Sequence, residues 1–187
     1  MPKNQFQRMM FALITVVITV HAYVFYSLYV IHGSLFMAIT GQSGVIAAIH
    51  AMGGVPVFGH GVPIWAVILI EFLLAYALEC AVGSPTSFKL VCKIFDPQTT
   101  HPVIFETAII CATVGIMCPA MSFLASFLYY DYQSGFNFIH LLAEWLKLVC
   151  FNFPFAWFSQ VFFIQPLIRT LFKVIFVRGS GEKAHAA

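Results

Sequence analysis

Two glutamates, Glu71 and Glu79, lie inside a long apolar run and are the residues best placed to do chemistry. The run, IWAVILIEFLLAYALEC, extends from Ile64 to Cys80. A charged side chain at the centre of a bilayer helix costs about 2.5–3.5 kcal/mol on insertion scales, so such a group usually faces the protein interior and has a function. A buried carboxyl gains or loses a proton when its surroundings change. We therefore expect Glu71, near the centre of the run, to be a proton-coupling group.

Glu79 and a third acid, Glu106, are predicted to continue a proton path from Glu71 toward one end of the membrane. Glu79 lies two helical turns from Glu71, and Glu106 lies near the start of a later apolar stretch at a similar depth. The alternative is that both pair near the membrane interface with Lys89, with Lys93 or with a helix N-terminus, which would make them structural.

Four polar residues of the last apolar stretch have simpler expected roles. Asn152 and Gln160 are predicted to form hydrogen bonds between helices, the usual role of amides in membrane helices. Glu144 and Lys147 are three residues apart on one helix and within reach of each other. We expect a neutralised pair.

The sequence indicates no cofactor, no metal site and no catalytic residues, so we do not expect an enzyme. His32, His60 and His140 lie at a similar predicted depth, but no histidine pair has metal-ligand spacing. A haem held by two histidines would need a second deep histidine beside His21. Motifs for dinucleotides, phosphates or hydrolysis are missing from the sequence.

The elements that must position these residues are four long apolar stretches. The chain has 187 residues, of which 61% are hydrophobic and 9% charged, and its mean hydropathy is +0.92. A segment of about 18–20 apolar residues crosses a bilayer as a helix, because its backbone polar groups must be satisfied internally. We predict an all-α integral membrane protein whose four transmembrane helices cover Phe6–Ile31, Val62–Val82, Pro102–Tyr130 and Phe138–Phe163. Its first partner is the lipid bilayer.

The positive charges predict the orientation of the helices. By the positive-inside rule, both termini and the middle loop are cytoplasmic. The supporting residues are Lys3, Arg8, Lys89, Lys93, Arg169, Lys173, Arg178 and Lys183, and Lys147 is the exception. The net charge of +2 follows from this bias, so we expect no nucleic-acid partner.

The chain reads as a tandem duplication of a two-helix unit. KLVCKIF and RTLFKVIF each follow a helix and a proline, and each has basic residues four apart. The predicted units are 1–97, with a long outer loop at 32–61, and 98–178, followed by a flexible tail at 179–187. Aligning Pro85 with Pro166 places an amide opposite each glutamate, Asn152 opposite Glu71 and Gln160 opposite Glu79. Two helices per unit give parallel repeats about an axis along the membrane normal.

The long outer loop contains an apolar segment, 34–54, that is interrupted by glycines. The stretches between its glycines are too short to span a bilayer. Two alternatives stay open, an interfacial pair of short helices or a re-entrant segment.

Short motifs of the second unit resemble an uncharacterised bacterial family of small two-helix membrane domains, a domain of unknown function. The motifs are PAMS, WLK, FPFAW and QPLIR, and the first unit keeps PIW and GSP. This resemblance implies an inner-membrane location without an activity. Phe105–Glu106 is also similar to the aromatic–glutamate pair in the first helix of proteobacterial antimicrobial compound efflux transporters, although Phe11–Ala12 in the first helix has no carboxylate.

Three hypotheses for the function follow from these observations. The first is a proton-coupled small-molecule transporter or efflux protein of the bacterial inner membrane, a dimer in which Glu71 is the coupling carboxylate. The second is a non-catalytic scaffold or accessory subunit whose polar groups hold helices together. The third is a haem-containing redox protein.

Overall fold

A computed structural model describes residues 5–132 and 135–176 of the chain. Within these ranges, four helices are long and apolar enough to cross a membrane: Met9–Ile31, Ile64–Cys92, Pro102–Leu128 and Phe138–Leu171. The prediction of four helices of membrane-spanning length and apolarity is therefore confirmed. The predicted tail 179–187, and the charges Lys3, Arg178 and Lys183, lie outside the described residues.

The elements alternate long helices with short π-helical turns. The first part of the chain forms helix α1 (Gln5–Tyr26) with the turn π1 (Ser27–Ile31), helices α2 (Gly33–Thr40) and α3 (Val45–Ala51), and strands β1 (Val55–Val57) and β2 (His60–Val62). The second long helix follows as α4 (Ile64–Leu78), the turn π2 (Glu79–Gly83) and α5 (Ser84–Cys92). The last two long helices are α6 (Pro102–Leu128) and α7 (Phe138–Ser159), and α7 continues through the turn π3 (Gln160–Ile164) into α8 (Gln165–Phe176).

The long loop at 32–61 folds into two short helices and a β-hairpin. Helices α2 and α3 are bent by 54° relative to each other, and Gly41 ends α2 with a left-handed φ of 67°. Strands β1 and β2 then pair antiparallel, with Val55 opposite Val62. This hairpin was not predicted, although the described residues are mostly helical as expected. Its three-residue strands, one of which contains a proline, are too short to show the alternation by which a strand is recognised in a sequence.

The hairpin turn holds a bulky residue in a conformation that favours glycine. Phe58 has a φ of 50° and is followed by Gly59 at 78°. Two positive φ values match the type I′ turn of two-residue hairpins, where asparagine or glycine is the usual first residue. The Phe58 N–H donates to the Leu128 carbonyl at 2.9 Å, and the ring packs against Phe127 and Tyr132. These contacts join the loop to the C-terminal end of α6, which we call the hairpin end of the bundle.

Helices α1 and α6 contribute equivalent buried stripes to the interior. Every fourth residue is buried in each helix, because i and i+4 lie on one face. The buried residues are Val16, Val20, Val24 and Leu28 in the first helix with its π turn, and Val114, Cys118, Ser122 and Ser126 in α6. The two stripes differ in chemistry, since the second carries a thiol and two hydroxyls where the first carries only hydrocarbon.

The long helices pack in pairs and exchange their end segments. Helix α4 packs on α1, and α7 packs on α6. Beyond the π turns, however, α5 packs on α6 and α8 packs on α1. Each end segment therefore crosses from its own helix pair to the other one at the end of the bundle away from the hairpin, which we call the opposite end.

Replacing Phe58 separates the strain of the turn from the packing of the ring. Phe58→Ala loses the ring and keeps the unfavourable φ, whereas Phe58→Gly loses the ring and relieves the φ penalty of about 1 kcal/mol. We expect both variants to unfold below the parent in a thermal melt in detergent, with Phe58→Ala the less stable of the two. A glycine variant that melts below the alanine variant would show that the turn is not strained.

Candidate functional site

Glu71 makes a hydrogen bond that joins the two helix pairs near the hairpin end. The Tyr129 hydroxyl donates to Glu71 Oε1 at 2.5 Å. Glu71 is on α4, and Tyr129 is the residue that follows α6. Phe72 and Tyr129 pack against the same apolar cluster, which surrounds the contact with hydrocarbon. The carboxyl is partly buried and faces a neighbouring helix, in the position expected of a functional acid.

Tyr129 is the residue of this site that the sequence analysis missed. Tyr129, Tyr130 and Tyr132 form a cluster that is typical of aromatic residues at a membrane interface. Burial, reinforced by the neighbouring Glu71 carboxyl, raises the pKa of the Tyr129 phenol, so the phenol keeps its proton and acts as the donor. No periodic signal in the sequence distinguishes Tyr129 from its neighbours, because the contact joins residues that are far apart in the chain.

Glu79 is the first residue of π2, and the wide turn folds its carboxyl back on the helix. Ser84 Oγ donates to Glu79 Oε1 at 2.7 Å, across the five-residue step of the π turn. Gly83 leaves the space for the other oxygen, because an added Cβ there would lie 2.5 Å from Glu79 Oε2 and 2.8 Å from Met117 Sδ. The absence of a side chain at Gly83 thus leaves room for the second carboxyl oxygen of Glu79.

Gln160 occupies the corresponding position in π3. Its Oε1 accepts from Gln165 Nε2 at 3.4 Å, across the same five-residue step. Its Nε2 donates to Thr19 Oγ1 of α1 at 2.8 Å. The number of residues that separates Glu79 from Gln160 also separates Ser84 from Gln165 and Pro85 from Pro166. The two turns are therefore geometrically equivalent, one with an acid and the other with an amide.

Asn152 is separated from Glu71 by the same number of residues, and its side chain also contacts another helix. Its Nδ2 donates to Ser122 Oγ at 3.2 Å, between α7 and α6. Unlike the Glu71–Tyr129 bond, this contact lies within one helix pair. Each of the two amides therefore makes a hydrogen bond across a helix–helix contact.

Glu106 is held by an ion pair with a residue of α8. Its Oε2 lies 2.5 Å from Arg169 Nη1, and the Glu106 side chain is only 17% exposed. The partner is therefore Arg169 and neither of the lysines considered above. The bond joins the start of α6 to the end segment of the last helix.

The remaining charged pair on the last long helix has the predicted geometry. Lys147 Nζ lies 3.1 Å from Glu144 Oε2, with both side chains largely exposed. The pair neutralises both charges and requires no functional explanation.

The histidines have separate surroundings. His32 Nδ1 lies 3.2 Å from the Ser27 carbonyl, and its ring stacks on Phe36, whereas His140 contacts Tyr130. Among residues 5–132 and 135–176, no three side chains of metal-ligand type come together. His21 is exposed on the outside of α1 and borders an open groove of about 310 Å³ between α1 and α4, whose other lining residues are Val17, Trp65, Ile68, Leu69 and Phe72.

A comparison with known protein families gives a match that covers the second helix pair. A family model described as a domain of unknown function, DUF2798, matches residues 105–176. The matched range runs from the start of α6 to the end of α8 and contains Glu106, Asn152 and Gln160. No curated protein and no solved structure matches the chain. The family description assigns no activity, so a function has to be argued from the site.

The arrangement gives the two carboxyls of α4 and π2 one hydrogen-bond donor each, and it surrounds the Glu71 contact with apolar side chains. Glu71 has a phenol, and Glu79 has a hydroxyl. Neither donor is a cation, so neither carboxyl is held permanently in its charged form by an ion pair. Glu106, by contrast, has an arginine partner. Proton uptake and release is therefore chemistry that Glu71 and Glu79 are suited to, whereas Glu106 is suited to holding helices together.

Gly83→Ala tests whether the glycine is needed for the position of the Glu79 carboxyl. Both atoms that the new methyl group would meet are the ends of flexible side chains, so we expect the carboxyl to move at a cost of about 1 kcal/mol, near the lower limit for overpacking. Thermal unfolding in detergent measures the cost. Gly115→Ala in α6 is the matched control, because a Cβ there meets nothing within 4 Å. In a Glu79→Ala background the Gly83→Ala cost should shrink, and an unchanged cost would contradict the assignment.

Proposed function

We propose that the protein is a proton-coupled transporter or exporter of small molecules in a bacterial inner membrane. The observation that carries the proposal is the Glu71–Tyr129 hydrogen bond, a carboxyl–phenol contact in an apolar core that joins the two helix pairs. An ionisable residue within a membrane helix is a functional candidate by default, and here its partner is known.

The bond supports coupling because its strength depends on the proton. A charged carboxylate accepts a stronger hydrogen bond from a phenol than a neutral acid does. Proton uptake by Glu71 therefore weakens the contact between α4 and the end of α6, and proton release strengthens it. Since Tyr129 directly follows Leu128, which accepts from the hairpin turn, this change reaches the outer loop.

A tandem duplication with cytoplasmic termini completes the proposed architecture. It is supported by the equivalent π turns, by the matching buried stripes of α1 and α6, and by the reciprocal crossing of α5 and α8. In this orientation the basic residues Lys89, Lys93 and Arg169 are at the cytoplasmic side, as the positive-inside rule requires. The Glu71–Tyr129 contact then lies toward the outer side.

A homodimer accommodates a substrate better than one copy does. Four helices enclose little volume, so we place the transport pathway between protomers. The lateral groove that contains His21 and Trp65 opens away from the bundle and is available to such a pathway.

The second candidate is a scaffold or accessory subunit. It is favoured by the observation that, among the described residues, every buried side-chain nitrogen and oxygen has a hydrogen-bond partner. In this case Glu71 and Tyr129 only hold the helices together, and a stoichiometric partner protein accompanies the chain through purification.

Glu71→Gln and Tyr129→Phe distinguish the two candidates. Glutamine keeps an acceptor for the Tyr129 hydroxyl but cannot carry a proton, whereas phenylalanine loses the hydrogen bond and leaves the acid, at a cost of about 1 kcal/mol. For a transporter we expect Glu71→Gln to reduce pH-gradient-driven uptake of lipophilic amines and cations into vesicles to the background level, at nearly normal stability. Tyr129→Phe should lower the melting temperature and keep measurable transport.

Glu144→Gln is the control for the loss of a carboxylate from the chain, since Glu144 lies in an exposed pair. It should leave transport unchanged. Transport by Glu71→Gln at the parental rate would exclude Glu71 as the coupling group, and a stability loss in the same variant would favour the scaffold.

A further inference from the structure

Two lysines lie one helical turn apart on the outer face of α5, at the opposite end of the bundle. The inner face of this helix carries Ser87 and Val91, which are both buried. At 100° per residue, Lys89 lies about 200° around the helix axis from each of them. Lys93 follows the helix in a helical conformation, so it shares the face of Lys89. Both side chains are exposed, and we call them the α5 lysines.

The α5 lysines have no carboxylate partner within the described part of the chain. No ion pair among residues 5–132 and 135–176 includes either of them. Two acids near this end have partners of their own, since Asp96 accepts from the Gln98 N–H at 2.9 Å and Glu106 is paired with Arg169. The two positive charges are therefore available to an anion from outside the chain.

The length of the second long helix places the α5 lysines at the depth of lipid headgroups. The segment Ile64–Cys92 has 29 residues, which at 1.5 Å per residue corresponds to about 43 Å. The hydrocarbon core of a bilayer is about 30 Å thick, and the headgroup layers extend this to about 40–45 Å. A helix that enters the hydrocarbon at Ile64 leaves it near Ser84. The turns that follow, with the α5 lysines, then cross the headgroup layer.

Exposed apolar side chains flank the α5 lysines on both sides. Phe88 and Leu90 lie 100° to either side of Lys89, and Ile94 lies on the same side as Leu90. All three are exposed, and the Phe88 ring also packs edge-on against Phe105 of α6. Cations between hydrocarbon side chains match a phospholipid, because the ammonium groups can bind the phosphate while the acyl chains lie against the apolar residues.

We propose that the α5 lysines and the apolar residues beside them form a binding site for an anionic phospholipid. A zwitterionic phospholipid carries a cation of its own, which the two ammonium groups repel, so the site discriminates by headgroup charge. The turn π2 sets which residues form the site, since its extra residue rotates α5 by about 100°. The proposal requires only that the segment Ile64–Cys92 crosses a bilayer, and it does not depend on transport.

Binding of phosphatidylglycerol to the purified full-length protein tests the proposal. Native mass spectrometry of the protein in detergent, titrated with lipid, gives an apparent Kd for phosphatidylglycerol and for phosphatidylcholine with the same acyl chains. We expect the parent to bind phosphatidylglycerol more tightly, and the preference to fall as salt is raised. Lys89→Gln and Lys93→Gln should each weaken phosphatidylglycerol binding about fivefold and leave phosphatidylcholine binding nearly unchanged.

Lys147→Gln is the charge-matched control, because it also removes one exposed positive charge but lies on α7. It should leave phosphatidylglycerol binding unchanged. The double variant Lys89→Arg/Lys93→Arg keeps both charges and should keep the preference. If the double glutamine variant does not fold, the two single variants carry the test.

Four results would overturn the proposal. The parent may bind the two lipids equally, or the double glutamine variant may keep the parental preference. Lys147→Gln may weaken binding as much as Lys89→Gln does, which would show a general effect of net charge. Inorganic phosphate may displace phosphatidylglycerol at the same concentration as the lipid, which would show a site for free phosphate that does not use the acyl chains.

Discussion

Polar groups in hydrocarbon must find partners inside the protein, and near the hairpin end the Glu71–Tyr129 hydrogen bond meets this requirement between the two helix pairs. The Tyr129 hydroxyl reaches Glu71 from the end of α6. That end is also where the hairpin turn binds, through the Leu128 carbonyl. The loop at 32–61, the end of α6 and the acid of α4 are therefore coupled through neighbouring residues.

The π turns give the bundle its exchanged packing. A π turn places one extra residue in a helix and so rotates all that follows by about 100°. After π2 and π3 the helices continue as α5 and α8, which contact the other helix pair instead of their own. The same widening brings a residue close to the one five positions later, and this produces the Glu79–Ser84 and Gln160–Gln165 contacts. The π turns thus produce both the exchanged packing of α5 and α8 and the side-chain contacts at Glu79 and Gln160.

The sequence predicted the parts that depend on local chemistry. Four continuous apolar stretches indicated four membrane helices, and a spacing of three residues indicated the Glu144–Lys147 pair. The prolines after the second and fourth helices marked the segments that became α5 and α8. The hairpin was missed because its strands have three residues each, and the proximity of lysines in the chain suggested the wrong partner for Glu106.

By itself, the sequence determined which segments are helices long and apolar enough to cross a membrane and which carboxyls lie within them. Length and apolarity settle both, because a helix in lipid satisfies its backbone alone. Only the tertiary structure decided what each carboxyl faces: a phenol for Glu71, an arginine for Glu106 and a hydroxyl for Glu79. These partners come from other helices or across a π turn. Their positions depend on how the helices pack and on the extra residue in the turn, and neither has a periodic signature in the sequence.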